Sequence, residues 1–170
     1  LLKRGARVRL LSLEPRPEHP ARRRPEVVGY WGDVRDAGVV RAALAGCSVV
    51  FHTAGLVGVW GKMLELMRSV HVEGTRQVLA WAGRDARIVH TSSITTLGAF
   101  PRPRPVDEST AWNKAAADVP YVQAKRGAEA LALEAAHSGR DVVVTNPGYL
   151  VGPEDHEHSV IGRLCERFWR

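Results

Sequence analysis

The sequence predicts an α/β fold built on a doubly wound parallel sheet. Three observations predict it. Short β-branched runs alternate with helix-forming segments along the 170 residues. Small and polar residues (Asp33, Thr53 to Gly55, Ser93) fall just beyond those runs, where such sheets place ligands. A Tyr121-Val-Gln-Ala-Lys125 segment opens a helix one strand–loop–helix unit after Thr91-Ser92-Ser93.

The elements follow in order. Val8-Arg9-Leu10-Leu11 marks a buried strand over Arg7–Ser12. Next comes a loop holding Pro15, Pro17, Pro20 and Pro25 around Arg22-Arg23-Arg24. Val27–Trp31 is the second strand. Asp36 can N-cap a helix over Ala37–Ala45, which Gly46 ends. Ser48–His52 is a β-branched strand, and the glycine-rich loop Gly55–Gly61 leads to one helix over Met63–Ala82. Arg87–Thr91 is a strand, and Gly98–Val119 a long polar loop. Residues 120–138 form a helix: Pro120 suits its first turn, and its Ala, Leu, Glu and Lys favour helix. Asp141–Asn146 is a last strand, and a further helix spans Ile161–Trp169.

Composition narrows the function. Net charge is +6 and arginine dominates, since the only lysines are Lys3, Lys62, Lys114 and Lys125. Arg22-Arg23-Arg24 reads as a solvated loop, because no aromatic residues interleave with the arginines as nucleic-acid binding would favour. No nucleic-acid partner is expected. No apolar run approaches the ~18 residues of a membrane span, and no signal-peptide pattern opens the chain. Cys47 and Cys165 suggest neither a disulfide framework nor a zinc site, so a cytoplasmic setting is expected. Glu154-Asp155-His156-Glu157-His158 reads as an exposed acidic loop, and no metal is expected.

The Tyr121/Lys125 spacing has chemical meaning. Positions i and i+4 share a helix face. A free phenol titrates near pH ~10, and a nearby ammonium favours its phenolate form. Such a pair suits general acid–base work on an oxygen. The hydroxyl of Ser93 would hydrogen-bond that oxygen as charge develops. The plain alternative is a core tyrosine beside a solvated lysine.

Further motifs appear in order. They are Gly32-Asp33-Val34, Val50-Phe51-His52-Thr53-Ala54-Gly55, Gly58-Val59-Trp60-Gly61, Val72-Glu73-Gly74-Thr75, Thr91 to Gly98, Asn146-Pro147-Gly148 and Val151-Gly152-Pro153. Together they resemble the extended short-chain dehydrogenase/reductase superfamily, or NAD-dependent epimerase/dehydratases. The closest group is that of 3β-hydroxysteroid dehydrogenases and dihydroflavonol reductases. The resemblance runs through nearly the whole chain, and counting back from Gly98 selects Ser93 rather than Ser92.

The resemblance implies a Rossmann-like NAD(P)-binding domain over residues 1–170. It implies Ser93, Tyr121 and Lys125 as catalytic residues. Cofactor contacts would come from Ser12, Asp33, Val34, Thr53, Ala54, Gly55, Pro147 and Gly148, with Tyr121 and Lys125. The positive net charge would help attract that anionic cofactor. Ser12 closes the second strand of the family pattern, where NAD-preferring members carry an acid. Ser12 and Arg16 favour NADP(H), while Glu14 argues for NAD(H). His71 stands where the V-x-G-T helix usually carries Asn, either replacing it or packing as a buried imidazole. The implied substrate is small and hydrophobic or steroid-like, with Trp60, Trp112 and Met63 near it or packed in loops. The Ala128–Ala136 face is a candidate homodimer surface or a core face. Rival functions are sugar-nucleotide epimerisation or dehydration, and a non-catalytic cofactor-sensing protein.

Leu1 to Gly5 reads as the tail of a helix, and no G-x-G-x-x-G turn lies near it. The resemblance therefore predicts a chain lacking the family's first strand and glycine-rich turn, with the C-terminal substrate-binding portion also absent. In the order 3-2-1-4-5-6 that first strand is central. The two strands beside it would each lose a neighbour, and the isolated piece would be inactive and prone to aggregate.

Overall fold

The strands β1 (Val8–Ser12) and β2 (Val27–Trp31) pair in parallel, with Val8 opposite Val27 and Ser12 opposite Trp31. A second parallel sheet has the order β3 (Val49–His52), β4 (Arg87–Thr91), β5 (Val142–Thr145). Its register sets Val49 against Arg87 and Thr91 against Thr145. This computed structural model describes residues 1–13, 24–57, 63–102, 104–113, 117–152 and 159–169. Glu14, Arg16, Arg22, Arg23, Trp60 with its glycine-rich neighbours 58–61, and the 154–158 acidic run lie outside the described residues.

The five strands among the described residues are all parallel, as the alternating pattern requires, but they form two sheets rather than one. Among the described residues, β1 is hydrogen-bonded only to β2, and β3 only to β4. A cavity of about 1530 Å³ lies between, lined by residues of both β1 and β3.

The helices cover these sheets. Helix α1 (Ala37–Leu44) is capped by Asp36, whose Oδ1 accepts from the backbone N–H of Gly38 (2.7 Å) and Val39 (3.2 Å). It packs on β1 and β2 and against α3. The core joins Val34, Val40, Val50, Val78, Ala82 and Ile88.

The single helix expected over residues 63–82 is three pieces: α2 (Leu64–Arg68), a π-helical turn over Ser69–Glu73, and α3 (Gly74–Trp81). The backbone stays right-handed through both joins, so the rod is continuous. Such wider turns concentrate at functional sites, and this one carries the buried His71. Gly74 is needed at its end, because a Cβ there would sit 2.7 Å from Cγ1 of Val34.

Helix α4 (Pro120–His137) begins at Pro120, as expected. It lies against β5, α2, α3 and the π turn. Its buried face holds Val122, Lys125, Ala128 and Ala132. The small residues allow close approach, so Ala128 and Ala132 belong to the chain's own core. Helix α5 (Val160–Trp169) leaves Phe168 and Trp169 exposed. No described helix is long and apolar enough to cross a membrane.

Candidate active site

Tyr121 and Lys125 project from the first two turns of α4 on one face. The Lys125 Nζ lies 6.0 Å from the centroid of the Tyr121 ring. Lys125 is only 6% exposed, and its ammonium donates to the carbonyl oxygen of Thr91 at 2.8 Å. Burial pushes its pKa down, and the charge of Glu129 partly restores it.

Ser93 follows two residues after Thr91 and caps the 3₁₀ turn Ile94–Leu97. Its Oγ accepts from the backbone N–H of Thr95 (3.3 Å) and from the Thr95 hydroxyl (3.0 Å). The ends of β4 and β5 are tied together beside it. Ser92 N–H donates to Thr145 O (2.8 Å), and Ile94 N–H to Pro147 O (3.0 Å). Pro147 is thereby held against the Ser93 turn, and Gly148 beyond it is exposed.

Ser12, Asp33, Val34, Thr53, Ala54 and Gly55 all line the cavity between the sheets. Two of them are also engaged within the protein. Asp33 is committed to Arg35 through contacts of 2.5 and 2.9 Å, and this partner holds its carboxyl below the usual range. The Val34 side chain is buried and packs in the core. Ser93, Tyr121, Lys125, Pro147 and Gly148 are not among the residues lining that cavity; Lys125 and Pro147 are instead tied to the end of β4 and the Ser93 turn.

His71 links Leu56 of the cavity wall to Tyr121. Its Nε2 lies 2.9 Å from Leu56 O and 3.1 Å from Leu56 N, so the tautomer decides which backbone group it pairs with. Its ring meets Tyr121 edge-on, 6.0 Å between centroids. The imidazole is both packed, at 2% exposure, and anchored to the loop after β3. The Arg126 guanidinium stacks on the Trp112 ring, 3.9 Å from its centroid.

Sequence reasoning missed two features. His52 and His90 are buried, with ring centroids 5.4 Å apart, and burial pushes their pKa values down to about 3 and about 4. Glu129 accepts hydrogen bonds from Ser92, Thr96 and Asn146. The one available signal for Glu129 was its position four residues after Lys125. Among the described residues no group of three or more His, Cys, Asp or Glu could hold a metal.

The chain is similar to several known proteins. The sequence model of the 3-beta hydroxysteroid dehydrogenase/isomerase family matches residues 2–162. A protein of Synechocystis provisionally named dihydroflavonol 4-reductase is 35% identical over 141 residues, which is 82% of this chain and 41% of that one. Human 3 beta-hydroxysteroid dehydrogenase type 7 is 40% identical over 122 residues, 68% of this chain and 32% of that one. A double mutant of the dTDP-glucose 4,6-dehydratase DesIV from Streptomyces venezuelae, solved with NAD and DAU bound, matches with a TM-score of 0.73 at 25% identity. It covers 88% of this chain and 47% of that one. This chain spans about two fifths of the length of the first curated relatives it matches.

Proposed function

Since the chain belongs to the 3-beta hydroxysteroid dehydrogenase/isomerase family, within the extended short-chain dehydrogenases/reductases, we propose that it serves NAD(P)-dependent interconversion of an alcohol and a ketone. The substrate class is small, hydrophobic and steroid-like, in keeping with the human relative's name. The observation that carries this is the Lys125 ammonium held 6.0 Å from the Tyr121 ring on one helix face, at the strand end that bears Ser93.

The residues divide the work. Tyr121 transfers a proton at the substrate oxygen. Lys125 keeps positive charge beside the phenol. An ammonium has three donors, so its bond to Thr91 leaves capacity for a ribose hydroxyl. Ser93 orients the substrate oxygen as charge builds on it.

The cavity wall fits a dinucleotide in part. Thr53, Ala54 and Gly55 are small and exposed there, so a ligand can approach the backbone closely. Ser12, Asp33, the Val34 backbone, Pro147 and Gly148 would hold the rest of the cofactor. A bound nicotinamide supplies hydride donation or acceptance. Ser12 places no carboxylate at the end of β1, which favours NADP(H).

The test is turnover by the full-length protein with sterol and ketone substrates. Stoichiometric gain or loss of NAD(P)H supports the proposal. Retained cofactor without net redox change would point to epimerisation or dehydration, the reading favoured by the likeness to DesIV. Cofactor binding without turnover on a broad panel would point to a sensor. Tyr121→Phe should abolish turnover yet still bind cofactor, and near-wild-type rates in that variant would refute the assignment.

A further inference from the structure

We propose that Glu129 is a positioning residue for the reacting group: its carboxylate holds the Ser92–Ser93 strand end and the Asn146 strand end against the helix that carries Tyr121 and Lys125. The inference rests on the roles proposed above for Ser93, Tyr121 and Lys125.

Three donors converge on one oxygen. Glu129 Oε2 accepts from the Ser92 hydroxyl, from the Thr96 hydroxyl (2.7 Å) and from Asn146 Nδ2 (2.9 Å). The partners come from three separate places in the fold: the end of β4, the 3₁₀ turn and the residue after β5. Ser92 is 2% exposed and Thr96 1%, so water does not reach them freely. Without the carboxylate the buried Ser92 hydroxyl would lose its acceptor, while Thr96 and Asn146 would fall back on Ser93 O and on each other.

The same bonds reach Ser93 directly. The Thr96 hydroxyl also lies 2.7 Å from Ser93 O, and Asn146 Nδ2 lies 3.2 Å from it. A hydroxyl has one proton, so Thr96 serves either Ser93 O or Glu129 at a given moment. Asn146 has two, and can bridge both. The Ser93 backbone is therefore clamped through the oxygen of Glu129, with no contact from Glu129 to a reacting atom.

Its charge matters as well as its shape. Glu129 stands one helical turn beyond Lys125, on the same face. Among the described residues, the other titratable groups around Lys125 are His52 from β3, His71 from the π turn, His90 from β4 and Tyr121 on α4 itself. Arg126, also on α4, donates to Thr96 O at 2.7 Å. None of these carries negative charge at neutral pH while Tyr121 holds its proton. Glu129 is the anion that offsets the cost of burying the ammonium.

The experiment uses the full-length protein and follows ketone reduction by NAD(P)H as a function of pH, with cofactor affinity measured by fluorescence. Glu129→Gln keeps an acceptor oxygen and removes the charge. It should fold, bind cofactor within about twofold of the parent, and move the alkaline limb of the pH–rate profile down by about one pH unit. Losing a negative charge favours the deprotonated form of every proton donor beside it, so the direction does not depend on which donor sets the limb. Glu129→Ala should lower kcat at least tenfold by the order of effect expected for misplaced groups, and Glu129→Gln should recover most of that loss near neutral pH. An unshifted limb in Glu129→Gln, or wild-type kcat per folded molecule in Glu129→Ala, would overturn the proposal. Should the alanine variant not fold, the glutamine variant decides alone. Tyr121→Phe separates the two levels. If it is inactive while the Glu129 variants behave as wild type, only the role of Glu129 fails; if it is fully active, the underlying assignment fails and this inference with it.

Discussion

The Lys125 ammonium donates across 2.8 Å to the carbonyl oxygen of Thr91, tying the start of α4 to the end of β4. One side chain therefore joins the fold to the proposed chemistry. Lys125→Met should show both roles. Turnover of the full-length protein is expected to fall by about 10²-fold or more, the scale of lost acid–base assistance. The unpaired Thr91 carbonyl should also cost about 1–3 kcal/mol of stability. Urea denaturation beside steady-state kinetics checks both, and a variant that lost neither would detach Lys125 from the site.

Acid should destabilise the protein early. His52 and His90 have folded pKa values lowered to about 3 and about 4, against 6.5 for the free group, with burial the main cause. Below pH ~6.5 the unfolded chain binds protons that the folded imidazoles refuse. Stability is thus full above that pH and falls on acidification, through pH 4 for both groups and on to pH 3 for His52. The slope is about 1.4 kcal/mol per pH unit for each imidazole. Denaturation midpoints compared at neutral and mildly acidic pH test this, and equal midpoints would contradict it.

Gly55 and His71 should be coupled. A Cβ at Gly55 would overlap Cε1 of His71 and lie 2.9 Å from its Nδ1. Because the ring is buried and anchored at Leu56, it cannot swing away easily. Gly55→Ala is expected to cost about 1–3 kcal/mol. In a His71→Ala background the same change should cost less, giving a coupling energy of about 1 kcal/mol or more. Additive effects in that double-mutant cycle would show that the ring gives way.

The 170-residue chain expressed by itself should associate. Among the described residues, both β1 and β3 offer an unpaired edge towards the cavity, and Val49 and Phe51 on β3 are exposed. Unprotected parallel edges template pairing with other chains. Light scattering on heating or dilution should report aggregates, whereas a soluble monomer with a sharp cooperative melt would count against this.

Much of the fold was legible. Val27–Trp31 and Arg87–Thr91 are strands at the bounds their β-branched runs imply, and Asp36 caps its helix as its side chain allows. The π turn inside the helix over 63–82 was not legible, because its i→i+5 backbone bonding has no local residue signature. Glu129 escaped notice because a glutamate in an alanine- and leucine-rich helix looks like any solvated helix residue. Its partners Ser92 and Asn146 stand 37 and 17 residues away in the chain. No local pattern encodes that meeting.

The sequence by itself determined the alternation of strand and helix and the shared face of Tyr121 and Lys125, because both follow from short-range geometry: β-propensity within a few residues and a helical repeat of one turn. Only the tertiary structure decided that the strands part into two sheets around a cavity, that three histidines lose their water, and that one carboxylate oxygen gathers the ends of β4 and β5. These depend on desolvation and on contacts between distant segments, which exist only once the chain has packed.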